Sequence, residues 1–182
     1  MKDIEAVACF TGHRPYHEGG FRFSPEEEET QNLIRALDQE ITELVEQKRV
    51  RVFLCGMADG FDLFAGRRVL ALRRTGRIPD TVSLIAVLPY IGHGKDSRGR
   101  YWSSAHREIL ESAQDQYVVS VKKEKDVFKR RNQAMVDRSQ YVIAYWNHAF
   151  ISGTGQTVRM AQRANREIIN LYDEMHGQKE TK

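Results

Sequence analysis

Apolar runs and amphipathic stretches alternate along the chain, and their periods predict most of the elements. Residues 6–11 (AVACFT) read as a short buried strand, followed by the breaker cluster Gly12-His13-Arg14-Pro15. Ser24-Pro25-Glu26-Glu27 reads as a helix start, with Ser24 as N-cap, Pro25 at the first helical position and Glu27 closing a capping box. Leu33, Leu37, Ile41, Leu44 and Val45 recur at helical spacing and carry that helix to about Lys48. A second strand is predicted over 51–55 (RVFLC), broken by Gly56-Met57-Ala58-Asp59-Gly60. Phe61, Ala65, Val69 and Leu72 then begin a new helical stripe. Residues 81–88 (TVSLIAVL) predict a third strand ended by Pro89, and 90–100 a polar, glycine-bearing loop that is a candidate mobile cover. A helix over 101–113, a strand over 116–121, a helix over 126–138 and a strand over 140–146 follow. Gly153-Thr154-Gly155 opens a helix to about Asn165, 168–171 is the last strand, and the tail from about Gly177 is expected to fray.

Strand and helix alternating in this way predict α/β architecture: a Rossmann-like, doubly wound, mostly parallel sheet with helices on both faces. The near-continuous apolar strands agree, because strands covered on both faces lose the polar alternation. No internal repeat, low-complexity stretch or linker divides the 182 residues, so residues 1–182 are expected to form a single domain.

Composition narrows the classes. With 41% apolar and 29% charged residues the chain is of ordinary globular type, and no run approaches the ~18 apolar residues of a membrane span. Lys2, Asp3 and Glu5 stand where a secretory leader would be basic and then apolar, so a cytoplasmic location is expected. The balance of 28 basic against 25 acidic residues, +3, permits an anionic small ligand and does not demand nucleic acid, and with no aromatic interleaving the basic helices make a poor nucleic-acid platform, so nucleic acid is a disfavoured partner. The two cysteines, Cys9 and Cys55, cannot build a disulfide framework or a four-thiolate zinc site. His93, His106 and His148 show no metal-ligand spacing, and no metal is expected.

In an open parallel sheet, ligands sit at the carboxyl ends of the strands near the point where strand order reverses. Three strands end there in glycine-bearing turns: Thr11-Gly12-His13-Arg14, the turn from Gly56 to Gly60, and Ser152-Gly153-Thr154-Gly155. Glycine admits close approach of a ligand, and a following helix start offers N–H groups to an anion. Together they suggest a phosphate-bearing, nucleotide-type ligand.

Gly153-Thr154-Gly155-Gln156-Thr157 is the best phosphate cradle, with hydroxyls available at Thr154 and Thr157. Gly153, Gly155 and Asp173 half match a dinucleotide fingerprint, but Val158 stands at its third glycine. Asp59 and Asp62 suit either helix capping or hydrogen bonds to ribose. Arg14 can pair with an anion and His13 can hydrogen-bond. Arg130-Arg131-Asn132 lies on the helix before the fifth strand, where a basic run ordinarily forms a solvated face. Tyr101 and Trp102 are candidates to stack on a base, or else lid packing.

These residues carry a family resemblance. Cys9-Phe10-Thr11-Gly12-His13-Arg14-Pro15, Gly56-Met57-Ala58-Asp59-Gly60-Phe61-Asp62 with Ala65, Arg131-Asn132, and Gly153-Thr154-Gly155 with Ala161 follow in the order seen in the SLOG superfamily, and resemble its YpsA-like branch. The resemblance implies a Rossmann-like domain that binds nucleotides or their derivatives, and members that form dimers or larger assemblies. Relatives include the Lonely Guy phosphoribohydrolases, DNA-processing protein A domains that bind single-stranded DNA, and proposed sensors of NAD-derived or ADP-ribose-like ligands. The hydrolase branch has a Pro-Gly-Gly-x-Gly-Thr-x-x-Glu pattern. Here Ile151-Ser152 precedes Gly153, and Val158 and Arg159 stand where acidic residues would. A cleaving carboxylate would therefore have to be Asp62 or Asp59.

The reading that follows is a cytosolic nucleotide- or ADP-ribose-like-ligand-binding protein, a candidate sensor. Its expected site is Thr11, Gly12, His13, Arg14, Gly56, Asp59, Gly60, Asp62, Arg131, Asn132, Gly153, Thr154 and Gly155. N-glycosidic hydrolysis of a nucleotide and binding of single-stranded DNA are the competing readings, and enzyme and binding protein both stay open.

Overall fold

The computed structural model describes residues 6–14, 24–149 and 151–177. Strands β1 (Ala6–Gly12), β2 (Val50–Cys55), β3 (Ser83–Tyr90), β4 (Asp115–Ser120), β5 (Tyr141–Tyr145) and β6 (Glu167–Asn170) alternate with helices α1 (Glu28–Gln47), α2 (Phe61–Arg74), α3 (Ser104–Ser112), α4 (Val127–Arg138) and α5 (Gly153–Arg163); α6 (Leu171–His176) follows β6. All six strands join one parallel sheet in the order β4-β3-β2-β1-β5-β6. The order reverses between β1 and β5, whose Gly12 and Tyr145 lie side by side. This is the Rossmann-like arrangement, and its switch point opens at the carboxyl ends of β1 and β5.

Side-chain alternation along the strands explains the two cores. Ala8, Phe10, Phe53 and Ile143 face α1, α2 and α6, which contribute Leu37, Ile41, Val69 and Leu171. Cys9, Leu54 and Val142 point the other way, against Met135 and Val136 of α4 and Met160 and Ala161 of α5. Both faces are thus covered, as crossover connections require. Burial pushes the thiols of Cys9 and Cys55 up to about 12, so both are inert in the fold. None of the described helices is long and apolar enough to cross a membrane.

Several element boundaries differ from those the sequence predicts. Ser24 does not cap α1: Glu27 donates its N–H to the Ser24 carbonyl at 3.0 Å, closing a separate turn, and α1 begins at Glu28 with no side-chain cap at Glu27. Pro89 does not end β3, which runs on to Tyr90. β2 has left the sheet opposite Ala86, so there β3 has one neighbour and a residue without an N–H is tolerated. α3 starts at Ser104, because the Ser103 side chain accepts the His106 N–H and caps it. α6 was not expected. The tail, expected to fray, lies from residue 178 on outside the described residues, as does Pro15.

Candidate functional site

The three glycine turns converge at one edge, and His13 ties them together. Its backbone N–H donates to the Tyr145 carbonyl of β5 at 3.2 Å, and its carbonyl accepts the Phe61 N–H at the start of α2 at 3.2 Å. Its ring Nε2 accepts the Asn147 N–H at 2.8 Å. His13 is therefore a buried joint between the β1, β2–α2 and β5–α5 turns. Thr11 is buried beside it, and Arg14 is exposed at the mouth. Gly12 serves packing: the space a side chain there would need is filled by Phe61.

The second turn brings together the most consequential pair. Arg131 comes from α4 on one face of the sheet and Asp62 from α2 on the other. They meet over the end of β2, with guanidinium and carboxylate 3.6 Å apart and both side chains buried. Gly56 makes this possible. A Cβ there would overlap the Arg131 guanidinium and lie 2.6 Å from Asp62 Oδ2. Burial raises the pKa of Asp62, opposed by the positive charges of Arg131 and then Arg14, so the carboxyl holds a proton more readily than usual. Nε of Arg131 has no hydrogen-bond partner among the described residues, and Nη1 has only the Asp62 carboxylate, too far at 3.6 Å for a hydrogen bond. A buried guanidinium with open donors is rare, because each unpaired buried donor costs about 1–3 kcal/mol or more. Arg131 is thus no part of a solvated basic face, unlike Arg130, which pairs with Glu124 at the surface. Asn132 beside it is half-buried.

Gly60 caps α2 at φ 94°, a conformation suited to glycine, and no side chain caps that helix. Capping therefore does not account for Asp59 or Asp62. Asp59 is about half exposed and faces His106, its Oδ1 3.9 Å from Nε2.

At the third turn, Ser152 caps α5 by accepting the Gly155 N–H at 2.9 Å, and the Thr157 hydroxyl donates to the Gly153 carbonyl at 3.0 Å. The helix start is thus partly self-satisfied, leaving at most the Gly153 and Thr154 amides for an anion. Nothing lies within 4 Å of where a Gly153 side chain would begin, so this corner is open. Thr154 is buried and Gly155 is closely packed. Asp173 is engaged elsewhere, 2.6 Å from His148 Nε2 and accepting from Asn170 at 2.9 Å.

The structure adds a group that the sequence reading passed over. Met57 adopts φ 60°, the left-handed region, while fully buried. Its carbonyl accepts from His93 Nε2 at 3.1 Å. His93 lies in the loop after β3, which is tied by its own bonds: Asp96 Oδ1 accepts the Arg98 and Arg100 N–H groups, each at 2.9 Å, and Lys95 bridges Tyr101. Trp102, His106 and Phe128 surround the ring edge-on. The signal available in the sequence was the loop's place after a strand of the same edge. Among the described residues no three His, Cys, Asp or Glu side chains are placed to hold a metal ion.

The comparisons agree with this geometry at the level of fold. DNA processing protein A from Helicobacter pylori, whose solved structure is described for its unique single-stranded DNA binding mode, is similar at a TM-score of 0.55 and 19% identity. The likeness covers 91% of this chain and 65% of that one, so this chain spans less than two thirds of its length. Among curated proteins none matches the sequence. A family model, that of the YspA SLOG family, matches residues 8–173, nearly the whole sequence and every turn described above, and the chain belongs to that family.

Proposed function

We propose that the chain binds a phosphate-bearing, nucleotide-type ligand of the ADP-ribose or NAD class in the crevice at the carboxyl edge of the sheet. The observation that carries this is Arg131: a buried cation, at the edge where such folds take ligands, with donors that no described residue satisfies. One anionic group lies against Arg131 and Arg14, and a second against the open start of α5 at Gly153, Thr154 and Gly155. Gly56 and Gly60 give the close approach, and Asp59, the exposed carboxylate, faces the ribose. The protein acts in the cytosol as a binding or sensing protein and assembles with copies of itself. Calorimetry against ADP-ribose, NAD and AMP tests it, and saturable heat with at least one is expected. Folded protein that gives none with any of them ends this reading.

A hydrolase version uses the same site. Asp62, whose burial favours the protonated acid, would give its proton to a leaving base. Release of free adenine from AMP, abolished by Asp62→Asn, distinguishes turnover from binding.

A second reading, single-stranded DNA, is favoured by the fold match to DNA processing protein A. Exposed Trp102 on the same edge gives it a stacking side chain, with exposed Ile91 as apolar contact and Lys122, Lys123 and Lys125 as cations. A gel shift whose affinity falls steeply with salt supports it, and no shift at low salt removes it.

A further inference from the structure

The crevice has a second wall, built on His93. Its Nε2 faces the Met57 carbonyl at 3.1 Å. A carbonyl only accepts, so Nε2 carries the hydrogen. Burial holds the ring's pKa down to about 4, so near neutral pH the imidazole is uncharged and Nδ1 is a bare lone pair. That nitrogen is buried and has no partner among the described residues. The rings around it, Trp102, Tyr90 and Phe128 at 4.9, 5.2 and 6.0 Å between centres, make no hydrogen bond to it. His106, 6.3 Å away, leaves its own Nε2 unpartnered toward Asp59. Phe128 and Arg131 lie three residues apart on α4, one turn of the same face, so the guanidinium stands beside the ring wall, near enough for its charge to act on His93.

The two walls ask for opposite chemistry. Arg131 offers donors and a positive charge, which suit an ionised phosphate. Nδ1 of His93 offers only a lone pair, which a phosphate oxygen carrying no proton cannot satisfy and a hydroxyl can. We infer that His93 is a specificity-determining residue that accepts a hydrogen bond from a sugar hydroxyl of the ligand whose phosphate Arg131 holds, so that the site selects phosphorylated sugars over phosphate alone. This rests on the reading of the crevice as an anion site given above.

The test compares ADP-ribose with inorganic pyrophosphate by calorimetry. Wild-type protein is expected to bind ADP-ribose at least ten-fold more tightly. His93→Phe, which keeps the bulk of the ring but removes the Nδ1 acceptor together with the bond to Met57, is expected to weaken ADP-ribose about ten-fold and leave pyrophosphate unchanged. Loss of both alike, or of neither, overturns the inference while leaving the anion site standing. Binding of neither probe by the wild type overturns the site itself, and the inference with it. A second measurement needs no variant. In ¹⁵N spectra of the wild type, the unprotonated His93 Nδ1 resonance moves upfield on adding ADP-ribose and stays in place with pyrophosphate. A resonance unmoved by ADP-ribose overturns the inference even if His93→Phe fails to fold.

Discussion

The guanidinium of Arg131 stands 3.6 Å from the carboxylate of Asp62, and the two reach each other from opposite faces of the sheet across Gly56. Removing the cation leaves a buried carboxylate without its ion-pair partner, a change that costs about 3–5 kcal/mol while the acid is ionised. Protonation relieves it. A group whose folded pKa lies above its unfolded value favours the fold at low pH, and that contribution is lost as pH rises through the folded value. The deficit of Arg131→Met should therefore be large in urea titrations at mildly alkaline pH and shrink on acidification, as Asp62 takes up its proton. A deficit that does not change with pH would contradict this.

The glycines of the edge are not equivalent. Gly12→Ala drives a Cβ into Phe61, where β1 meets α2, and an overpacked contact of this kind costs about 1–3 kcal/mol. Gly153→Ala meets nothing within 4 Å, at a helix start without positive φ, and should leave stability unchanged or raise it by about 0.5 kcal/mol. Thermal melts of the two variants, each against wild type, separate these outcomes.

His13 Nε2 receives the Asn147 N–H at 2.8 Å, across 134 positions of sequence. His13→Leu strands that donor and should lower stability by about 1–3 kcal/mol. Hydrogen exchange at the Asn147 amide is the specific readout: protection falls more there than at amides in the middle of β5. Unchanged protection at Asn147 would mean the bond does not hold the turn.

Most of the fold was legible because the strands are short apolar runs punctuated by glycine, and the helices between them carry plain 3.6-residue stripes. The errors have local causes. Ser24-Pro25 has the composition of a helix cap, but the chain spends it on a turn before Glu28. Pro89 reads as a stop, yet sits where its strand has lost a neighbour. The convergence of the three turns followed from the rule for parallel sheets. What each residue does there did not, since the function of a glycine depends on what fills the space beside it. Gly12 yields to Phe61 and Gly56 to Arg131. Arg131 was placed among candidate ligands, but its neighbours in sequence gave no sign that it turns inward while Arg130 stays at the surface. His93 was passed over because its partners, Met57, Trp102 and Phe128, are remote in sequence.

The same histidine sets a pH dependence of stability. Burial lowers His93 from 6.5 to about 4, so the unfolded chain takes up a proton that the fold refuses. The sign follows: this contribution is whole above pH 6.5 and is lost as pH falls towards 4, by about 1–3 kcal/mol. Denaturation midpoints measured over that window should fall for wild type, and His93→Phe should flatten the slope. A parallel slope in the variant would place the titrating group elsewhere.

A crystal structure grown with ADP-ribose tests whether an anion rests on Arg131. A ligand phosphate is expected within hydrogen-bond distance of Nε or Nη1 of Arg131. An empty crevice, or a phosphate bound elsewhere with those nitrogens still unengaged, would contradict it.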